Sequence, residues 1–504
     1  MRRLLVAVSV LSLAAACATT PEPTPAAQPT PTPAPEASTP APEETFRAQA
    51  PQPGQPPELV LPKFEQARLD NGLTVVVSTR RELPLVFAGL AFASGSAQDP
   101  KGQGGLADVT YKMLLEGAGG KDTLALDQAF QDLGVTPAMR TSPDGAYMGV
   151  QVLRRNADAA LALMTDVARK PTFAAKDFDR RKKLQLAELV RQLGNPSALA
   201  QYAYLDALFG PAHPYGHGVG GAPDTVEKLT LADVKRFYGQ QVGPKTVALV
   251  MAGDITLEEA VALAKKHFGD WKGSAVLPPV PPAPQVPARQ QVLFVPKPGL
   301  EQTMVVVGRP GIAVGHPDEY ALELATTVFG GFFGSRLNMN LREDKGYSYG
   351  AGAGAEARLG VGPLTAYSMV RADVTGPALT EVIREMKGIQ ERPITEKELA
   401  AAREGLVRAF PGAFETVEGL GASAASLFFK RRPMDEFART VVGLEKASAA
   451  EVQKAAETYL GPQAMQIVLV GDPDVIQTQV GPLELGTLTP KQVPGTGATP
   501  PKAK

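Results

Sequence analysis

The order of apolar and polar positions predicts that folded structure begins near Leu61. An Asp-Asn-Gly turn signal at 70–72 leads into a β-branched strand that ends at Val77, and a second apolar strand runs from Leu85 to Ala93. Segments with apolar residues every three or four positions follow these strands and predict amphipathic helices. Strands followed by long helices favour an α+β fold, in which helices layer on a mostly antiparallel sheet.

This pattern occurs twice in the chain. Five residues of the first copy recur in the second at one constant shift of 218 positions. They are Val234, Gly243, Pro244, Gly253 and Asp254, which return as Val452, Gly461, Pro462, Gly471 and Asp472. In each copy a helix ends at Gly-Pro and leads to an apolar strand closed by Gly-Asp. The constant shift therefore predicts a duplicated α+β unit.

Pro-rich and low-complexity segments set the predicted domain boundaries. The segment after the N-terminal signal has almost no large apolar residues, so it cannot build a packed core. The predicted order is a signal peptide at 1–17, a Pro-rich spacer at 18–56, an N-terminal domain at 57–275, a Pro-rich linker at 276–292, a C-terminal domain at 293–480 and a low-complexity tail at 481–504.

The N-terminus has the features of a bacterial export signal. Arg2 and Arg3 precede an apolar run to Ala16, and the only cysteine of the chain, Cys17, follows where cleavage is expected. This arrangement resembles a lipobox, which predicts that Cys17 is lipidated and anchors the protein to the cell envelope, at the outer membrane facing the periplasm. The alternative is a plain cleaved signal with a spare thiol.

The charge of the chain excludes one class of partner. The sequence has 51 Lys and Arg residues against 52 Asp and Glu residues, which gives a formal net charge of -1. Because no overall basic field is present, nucleic acid is not expected as a partner.

Several phrases in a fixed order resemble the pitrilysin/insulinase family of zinc metallopeptidases. The phrases are Gly104-Gly105-Leu106-Ala107, His213-Pro214-Tyr215-Gly216, Phe329-Gly330-Gly331, Ser335-Arg336-Leu337 and the run from Leu341 to Tyr349. The resemblance covers residues 61–475. It implies two duplicated insulinase-like domains, each a mostly antiparallel sheet layered with helices, in agreement with the α+β pattern.

The resemblance also locates a degenerate metal site. Active members carry His-x-x-Glu-His directly after Gly-Leu-Ala, whereas the matching positions here are Asp108, Tyr111 and Lys112. The third family ligand is a glutamate on a second helix, and Glu188 occupies that place. Catalytic zinc needs three protein ligands, so we expect no metal and no other cofactor on this chain.

The replaced positions are expected to lie together on one helix face. Asp108, Tyr111 and Lys112 have the spacing i, i+3 and i+4, so we expect their side chains to point into the former site. One hypothesis is that the Lys112 ammonium replaces the charge of the metal, between Asp108 and Glu188. The alternative is that these side chains point to solvent without a role.

A second feature of the family is retained in the C-terminal half. In active members, the half that faces the zinc supplies an arginine and a tyrosine seven residues apart, and Arg342 and Tyr349 match this pair. The resemblance implies that they contact the substrate carbonyl and stabilise the transition state. The alternative is that Arg342 pairs with Glu343 or Asp344 and that Tyr349 is an ordinary strand residue.

These features together favour a non-catalytic subunit. We expect a heterodimer in which a partner chain of the same family carries zinc, while this chain contributes Arg342 and Tyr349 to the bound peptide in trans. A structural or assembly protein with a peptidase fold is an alternative from another functional class. An autonomous metallopeptidase is a further alternative, which the missing metal motif disfavours.

Overall fold

The chain is described by a computed structural model that covers residues 54, 58–285 and 290–493. The predicted signal peptide with Cys17 and almost all of the predicted spacer lie outside the described residues. The described residues from Leu59 to Val493 belong to one unit. Among the described residues, every helix is too short or too polar to cross a bilayer.

Strands and helices follow one another in two similar series. The strands are β1 (Glu65–Arg68), β2 (Thr74–Thr79), β3 (Leu85–Phe92), β4 (Ala138–Thr141), β5 (Ala146–Leu153), β6 (Val247–Gly253), β7 (Gln291–Pro296), β8 (Gln302–Pro310), β9 (Ser348–Ala355), β10 (Pro363–Arg371), β11 (Gln466–Gly471) and β12 (Leu488–Pro490). The helices are α1 (Leu106–Met113), α2 (Thr123–Gln131), α3 (Ala157–Arg169), α4 (Ala175–Leu193), α5 (Pro196–Phe209), α6 (Pro223–Lys228), α7 (Leu231–Gln241), α8 (Leu257–Phe268), α9 (Glu319–Thr326), α10 (Arg336–Asn338), α11 (Thr375–Glu391), α12 (Glu396–Ala413), α13 (Val417–Phe429), α14 (Glu436–Lys446), α15 (Ala449–Tyr459) and α16 (Pro473–Val480).

The strands form two six-stranded sheets on the same plan. The first has the order β1-β2-β6-β3-β5-β4 and the second the order β12-β7-β11-β8-β10-β9. Neighbours are antiparallel except β2 with β6 in the first sheet, and β7 with β11 and with β12 in the second. Thr74 pairs with Ala248 in the first sheet as Gln291 pairs with Gln466 in the second. The sheets confirm the predicted α+β fold and its duplication.

The central strands of both sheets are buried throughout. Every residue of β6 and of β11 is buried, which explains why these segments are continuous apolar runs and do not alternate. On one face of each sheet, the core is formed with helices of the same half. In the first sheet, for example, Leu249 and Met251 share a cluster with Val109 of α1 and Leu161 of α3.

The other face of each sheet is covered by a helix from the opposite half. Helix α13 lies on the first sheet, where Leu420 and Ala424 share a cluster with Val250. Helix α5 lies on the second sheet, where Ala203 shares a cluster with Val468. Because each sheet packs its second apolar face against a helix of the opposite half, the two halves are interlocked.

The second sheet extends beyond the predicted boundaries of the C-terminal domain. Strand β7 begins at Gln291, inside the predicted linker, and β12 comes from the predicted tail. In β12, Leu488 pairs with Val292 in parallel with β7. Pro490 is tolerated because β12 is an edge strand, where a missing N–H donor costs no ladder hydrogen bond. The predicted limits 293 and 480 therefore need correction, since strand pairing depends on long-range contact and not on local composition.

A polar cluster joins the two halves at a buried contact. The Tyr215 hydroxyl donates to Oδ1 of Asp144, and the other carboxylate oxygen accepts from the backbone N–H of Leu359 at 2.9 Å. The Gly360 N–H donates to the Tyr215 oxygen at 3.1 Å, and the Arg358 guanidinium lies 4.8 Å from the Tyr215 ring centroid. Burial raises the pKa of Asp144. These bonds hold the second half against the first.

Candidate functional site

Close contacts and hydrogen bonds fix the first residues of α1, the helix that carries the degenerate metal motif. Gly105 precedes α1 with φ of 94°, a conformation that favours glycine, and a Cβ there would lie 2.5 Å from the Gly220 carbonyl oxygen. The Asp99 carboxylate accepts from the N–H groups of Gly105 and Ala107, both at 2.7 Å. The Gly-Gly-Leu-Ala phrase therefore fixes the position of α1 by steric fit and by capping.

Tyr111 lies in the hydrophobic core and not in a cavity. Its ring centroid is 4.9 Å from that of Phe92 and 6.2 Å from that of Phe237, and the side chain is completely buried. Its hydroxyl shares a hydrogen bond with Ser94, and burial raises the pKa of the phenol well above its usual value. The expectation that Tyr111 points with its neighbours into the former site is wrong, because a large aromatic ring is stabilised where it packs on the sheet.

Asp108 and Lys112 do face a common cavity, of about 320 Å³, lined also by α4, α5 and the loop 218–223. The Lys112 ammonium donates to Asp108 Oδ2 at 2.6 Å and to the Gln185 side-chain oxygen at 3.1 Å. The Gln185 amide nitrogen in turn donates to the Gly220 carbonyl at 3.1 Å. Asp108 and Gln185 are buried, so the ammonium is bound between two fixed acceptors.

Glu188 lies at the same cavity but has different partners. It accepts hydrogen bonds from Arg191 at 2.6 Å and from Gln192 at 2.8 Å, and the Arg191 bond is the main cause of its lowered pKa. The hypothesis placed the Lys112 ammonium between the carboxylates of Asp108 and Glu188. The ammonium does bind Asp108, but its second hydrogen-bond acceptor is Gln185. Gln185 lies three residues before Glu188 on α4, so the two share a helix face and the spacing alone does not decide which one meets Lys112.

The residues at this cavity do not fit a zinc ion. The carboxylate of Asp108 is already paired with an ammonium, which repels a dication, and Gln185 is a neutral amide. In the part of the chain that the structure describes, no group of three or more His, Cys, Asp or Glu side chains is arranged to hold a metal. No hydrolytic step can therefore be derived from a metal bound here.

The second candidate region lies at the edge of the other sheet. Helix α10 continues into a π-helical turn, Met339–Asp344, which presents Arg342. The Arg342 guanidinium lies 4.8 Å from the Phe333 ring centroid, and its Nε is 3.2 Å from a carboxylate oxygen of Glu343. Tyr349, at the start of β9, is 90% exposed. The pairing with Glu343 matches the alternative interpretation of Arg342, but the side chains of Arg342 and Tyr349 are both accessible to solvent.

Asn338 connects this π-helical turn to the edge strand. Its amide nitrogen donates to the Phe333 carbonyl at 2.7 Å, and its amide oxygen accepts from the Ala351 N–H at 3.0 Å. Asn338 itself is buried. Arg342, Phe333 and the first residues of β9 therefore form one continuous region, which we call the Arg342 region.

Comparison with known sequences identifies the family. The sequence profile described as "Insulinase (Peptidase family M16)" matches residues 74–209, and that described as "Peptidase M16 inactive domain" matches residues 228–406. The chain belongs to peptidase family M16. Each half of this M16 protein therefore contains residues that match the family, as the phrases in its sequence predict.

M16 relatives align with this chain over most of their length. An "uncharacterized zinc protease" of Rickettsia bellii is 23% identical over 411 residues, which are 81% of this chain and 97% of the relative. The "Non-peptidase homolog YmxG" of Helicobacter pylori is 22% identical over 381 residues, 75% of this chain and 87% of the relative. A solved peptidase M16 inactive domain from Pseudomonas fluorescens is 27% identical with a TM-score of 0.75, covering 81% of this chain and 98% of that one.

Another arginine in an M16-like phrase is structural. Arg336 donates to Glu398 at 2.7 Å, and its remaining donors reach the carbonyl oxygens of Arg392 and Pro393. This ion pair holds the pKa of Glu398 down at about 2 and joins α10 to the start of α12. Arg336 thus has its donors satisfied within the fold, whereas the side chain of Arg342 is 43% exposed.

Proposed function

We propose that this M16 protein is the non-catalytic subunit of a two-chain peptidase, and that it contributes Arg342 and Tyr349 to a peptide bound at the zinc site of its partner. The observation that carries the proposal is the contrast between the two halves. Lys112 is bound by Asp108 and Gln185 where the family has its metal motif, while Arg342 and Tyr349 remain accessible. The name "non-peptidase homolog" of one relative is in line with this role.

The chemistry of the two side chains suits a peptide carbonyl. A guanidinium offers a rigid fork of N–H donors, and a phenol adds one O–H donor. Such donors stabilise the negative charge that develops on the carbonyl oxygen when a peptide bond is attacked. The zinc and the attacking water are then supplied by the partner chain, and this chain needs no cofactor.

The edge of the second sheet offers a place for an extended peptide. The Ala351 N–H is bonded to Asn338 and so points away from β10, and by antiparallel alternation the N–H groups of Ala353 and Ala355 point the same way. Among the strands that the structure describes, β10 is the one neighbour of β9 in the sheet. An extended chain can add a strand at such an edge through backbone hydrogen bonds.

The predicted export signal supports a proposal for the cellular location of the two-chain peptidase. We propose that lipidation at Cys17 anchors the subunit to the outer membrane, with the folded unit in the periplasm beside its partner. Membrane fractionation of the wild type against Cys17→Ala tests the anchor, because the variant is expected in the soluble fraction.

The decisive experiment mixes this chain with its partner. The partner is sought as an M16 chain with an intact His-x-x-Glu-His, first in the adjacent reading frame, and cleavage is followed with a quenched fluorescent peptide library. We expect cleavage that neither chain shows alone. Arg342→Ala should lower the kcat of the mixture about 10²–10³-fold, the usual effect of removing one transition-state donor.

A matched control separates this role from a general effect of charge. Arg408→Ala removes an exposed arginine of α12 that pairs with Glu404, and it should leave the activity of the mixture unchanged. If Arg342→Ala behaves like Arg408→Ala, the role in trans is wrong and a structural role in an assembly is favoured. If this chain alone cleaves peptides with bound zinc, the proposal is also wrong.

A further inference from the structure

The π-helical turn that carries Arg342 is attached to the rest of the protein through Asn340. Both residues belong to the turn Met339–Asp344, and residues two positions apart on a helix do not share a face. Asn340 is buried, whereas the side chain of Arg342 is 43% exposed. One side of the turn is therefore fixed inside the protein, while the other side presents the guanidinium.

Two carboxylates of α11 bind the amide group of Asn340. The amide nitrogen donates to Glu381 Oε2 at 2.9 Å and to Glu385 Oε1 at 2.8 Å, which accounts for both of its N–H groups. Glu381 and Glu385 are four residues apart, and like charges at this spacing destabilise a helix. Asn340 provides each of the two carboxylates with a hydrogen-bond donor, so the turn and α11 are joined at two points.

Basic side chains around the two glutamates fix them in one arrangement. Arg392 donates to Glu385 at 2.7 Å, and Arg384 pairs with both glutamates. The Lys345 ammonium, directly after the turn, lies 3.7 Å from Glu381. Glu385 is buried, and a buried carboxylate is stable only where charges and hydrogen bonds compensate it. The position of the Asn340 amide is therefore set by side chains that cannot move independently.

The backbone on both sides of Arg342 is bonded as well. The Lys345 N–H donates to the Asn340 carbonyl at 3.0 Å, and the Tyr347 N–H donates to the Leu341 carbonyl at 2.8 Å. The Leu341 side chain is fully buried in the core of the second half. Hydrogen bonds are directional, so the amide of Asn340 fixes the rotation of the turn, which the packing of Leu341 alone does not.

We propose that Asn340, bound by Glu381 and Glu385, is a positioning residue that sets the place of the Arg342 guanidinium. The inference rests on the proposed function and adds how the donor is held in place for the bound peptide. A donor to a transition state must be placed accurately, because a displacement of about 1 Å can lower a rate about 10²-fold. The buried polar cluster provides this accuracy from the side of the turn that the peptide does not contact.

The test measures peptide cleavage by the mixture of this chain with its partner. Asn340→Asp keeps the size of the side chain but places a third carboxylate against Glu381 and Glu385, so the turn should be displaced. We expect kcat to fall about 10–100-fold while KM changes less than about twofold, because Arg342 acts in the transition state. In the Arg342→Ala background, Asn340→Asp should lower kcat by less than about twofold further, since the displaced donor is already absent.

Further variants separate positioning from a general loss of stability. Adding Glu385→Gln to Asn340→Asp places an amide donor opposite the new carboxylate and should restore kcat to within about threefold of the wild type. Asn156→Asp makes the same change before α3, where the Asn156 side chain forms no cap hydrogen bond, and should leave kcat unchanged. If urea unfolding shows that Asn340→Asp does not fold, Asn340→Ala replaces it with and without Arg342→Ala.

The outcomes distinguish this inference from the proposed function. If the Asn340 variant keeps the kcat of the wild type, or lowers it by the same factor with and without Arg342, then Asn340 is not a positioning residue and the proposed function stands. Failure of Glu385→Gln to restore kcat would also contradict the assigned contact. If Arg342→Ala itself leaves the mixture unchanged, the proposed function fails and this inference fails with it.

Discussion

Replacing Tyr111 by glutamate would restore the glutamate of the family's His-x-x-Glu-His motif, and we expect this substitution to unfold the N-terminal half. The ring is fully buried between Phe92 and Phe237, and truncating such a side chain costs about 3–5 kcal/mol. A carboxylate in the same place adds several kcal/mol of desolvation. Together these effects come to roughly 6–10 kcal/mol, which is comparable with the whole stability of about 5–15 kcal/mol of a typical protein domain.

A milder change isolates the hydroxyl of the same residue. Tyr111→Phe keeps the ring but leaves the buried Ser94 hydroxyl without its partner, which should lower the free energy of unfolding by about 1–3 kcal/mol. Ser94→Ala should cost a similar amount, and the double variant clearly less than the sum, because both polar groups are then absent. Urea unfolding followed by the fluorescence of Trp271, the single tryptophan, reports on this half, since Trp271 packs in the same core.

The reasoning is refuted if Tyr111→Glu has the urea midpoint of the wild type. The reasoning is also refuted if the triple variant Asp108→His/Tyr111→Glu/Lys112→His binds one zinc ion per chain, because the position of Tyr111 would then be accessible to a metal and not part of the packed core. The control is Leu124→Glu, at a leucine of α2 that is 80% exposed, which should change the unfolding free energy by no more than about 0.5 kcal/mol.

Two further predictions concern stability. Asp144→Ala removes the acceptor of Tyr215 and of the Leu359 N–H and should lower the free energy of unfolding by about 2–4 kcal/mol, measured by urea unfolding; a change below about 0.5 kcal/mol would contradict the inter-half contact. Because Arg336 lowers the pKa of Glu398 from 4.5 to about 2, this ion pair stabilises the protein above pH 4.5 and the effect is lost as the pH falls toward 2. Between pH 5 and 2.5 the free energy of unfolding of the wild type should fall by on the order of 1–2 kcal/mol more than that of Glu398→Gln. An equal fall in both proteins would contradict a stabilising Arg336–Glu398 ion pair.

The sequence by itself determined the fold class, its duplication and the loss of the metal motif. These features are local, because the spacing of apolar residues indicates a helix or a strand and the sequence alone shows that the motif histidines are missing. The constant shift that relates Gly253 to Gly471 also predicted that both lie at the ends of equivalent strands, which they do. The family resemblance then added Arg342 and Tyr349 as a pair.

Only the tertiary structure decided which surfaces meet. Spacing placed Tyr111 near Asp108 and Lys112, but the sheet behind α1 takes its ring into the core, and Gln185 reaches Lys112 where Glu188 was expected. Likewise, the apolar composition of α5 and α13 indicates that both helices are buried, but not that each covers the sheet of the other half. The physical reason is that side-chain periodicity records how much of an element is buried, whereas its partner is set by contacts hundreds of residues away in the chain.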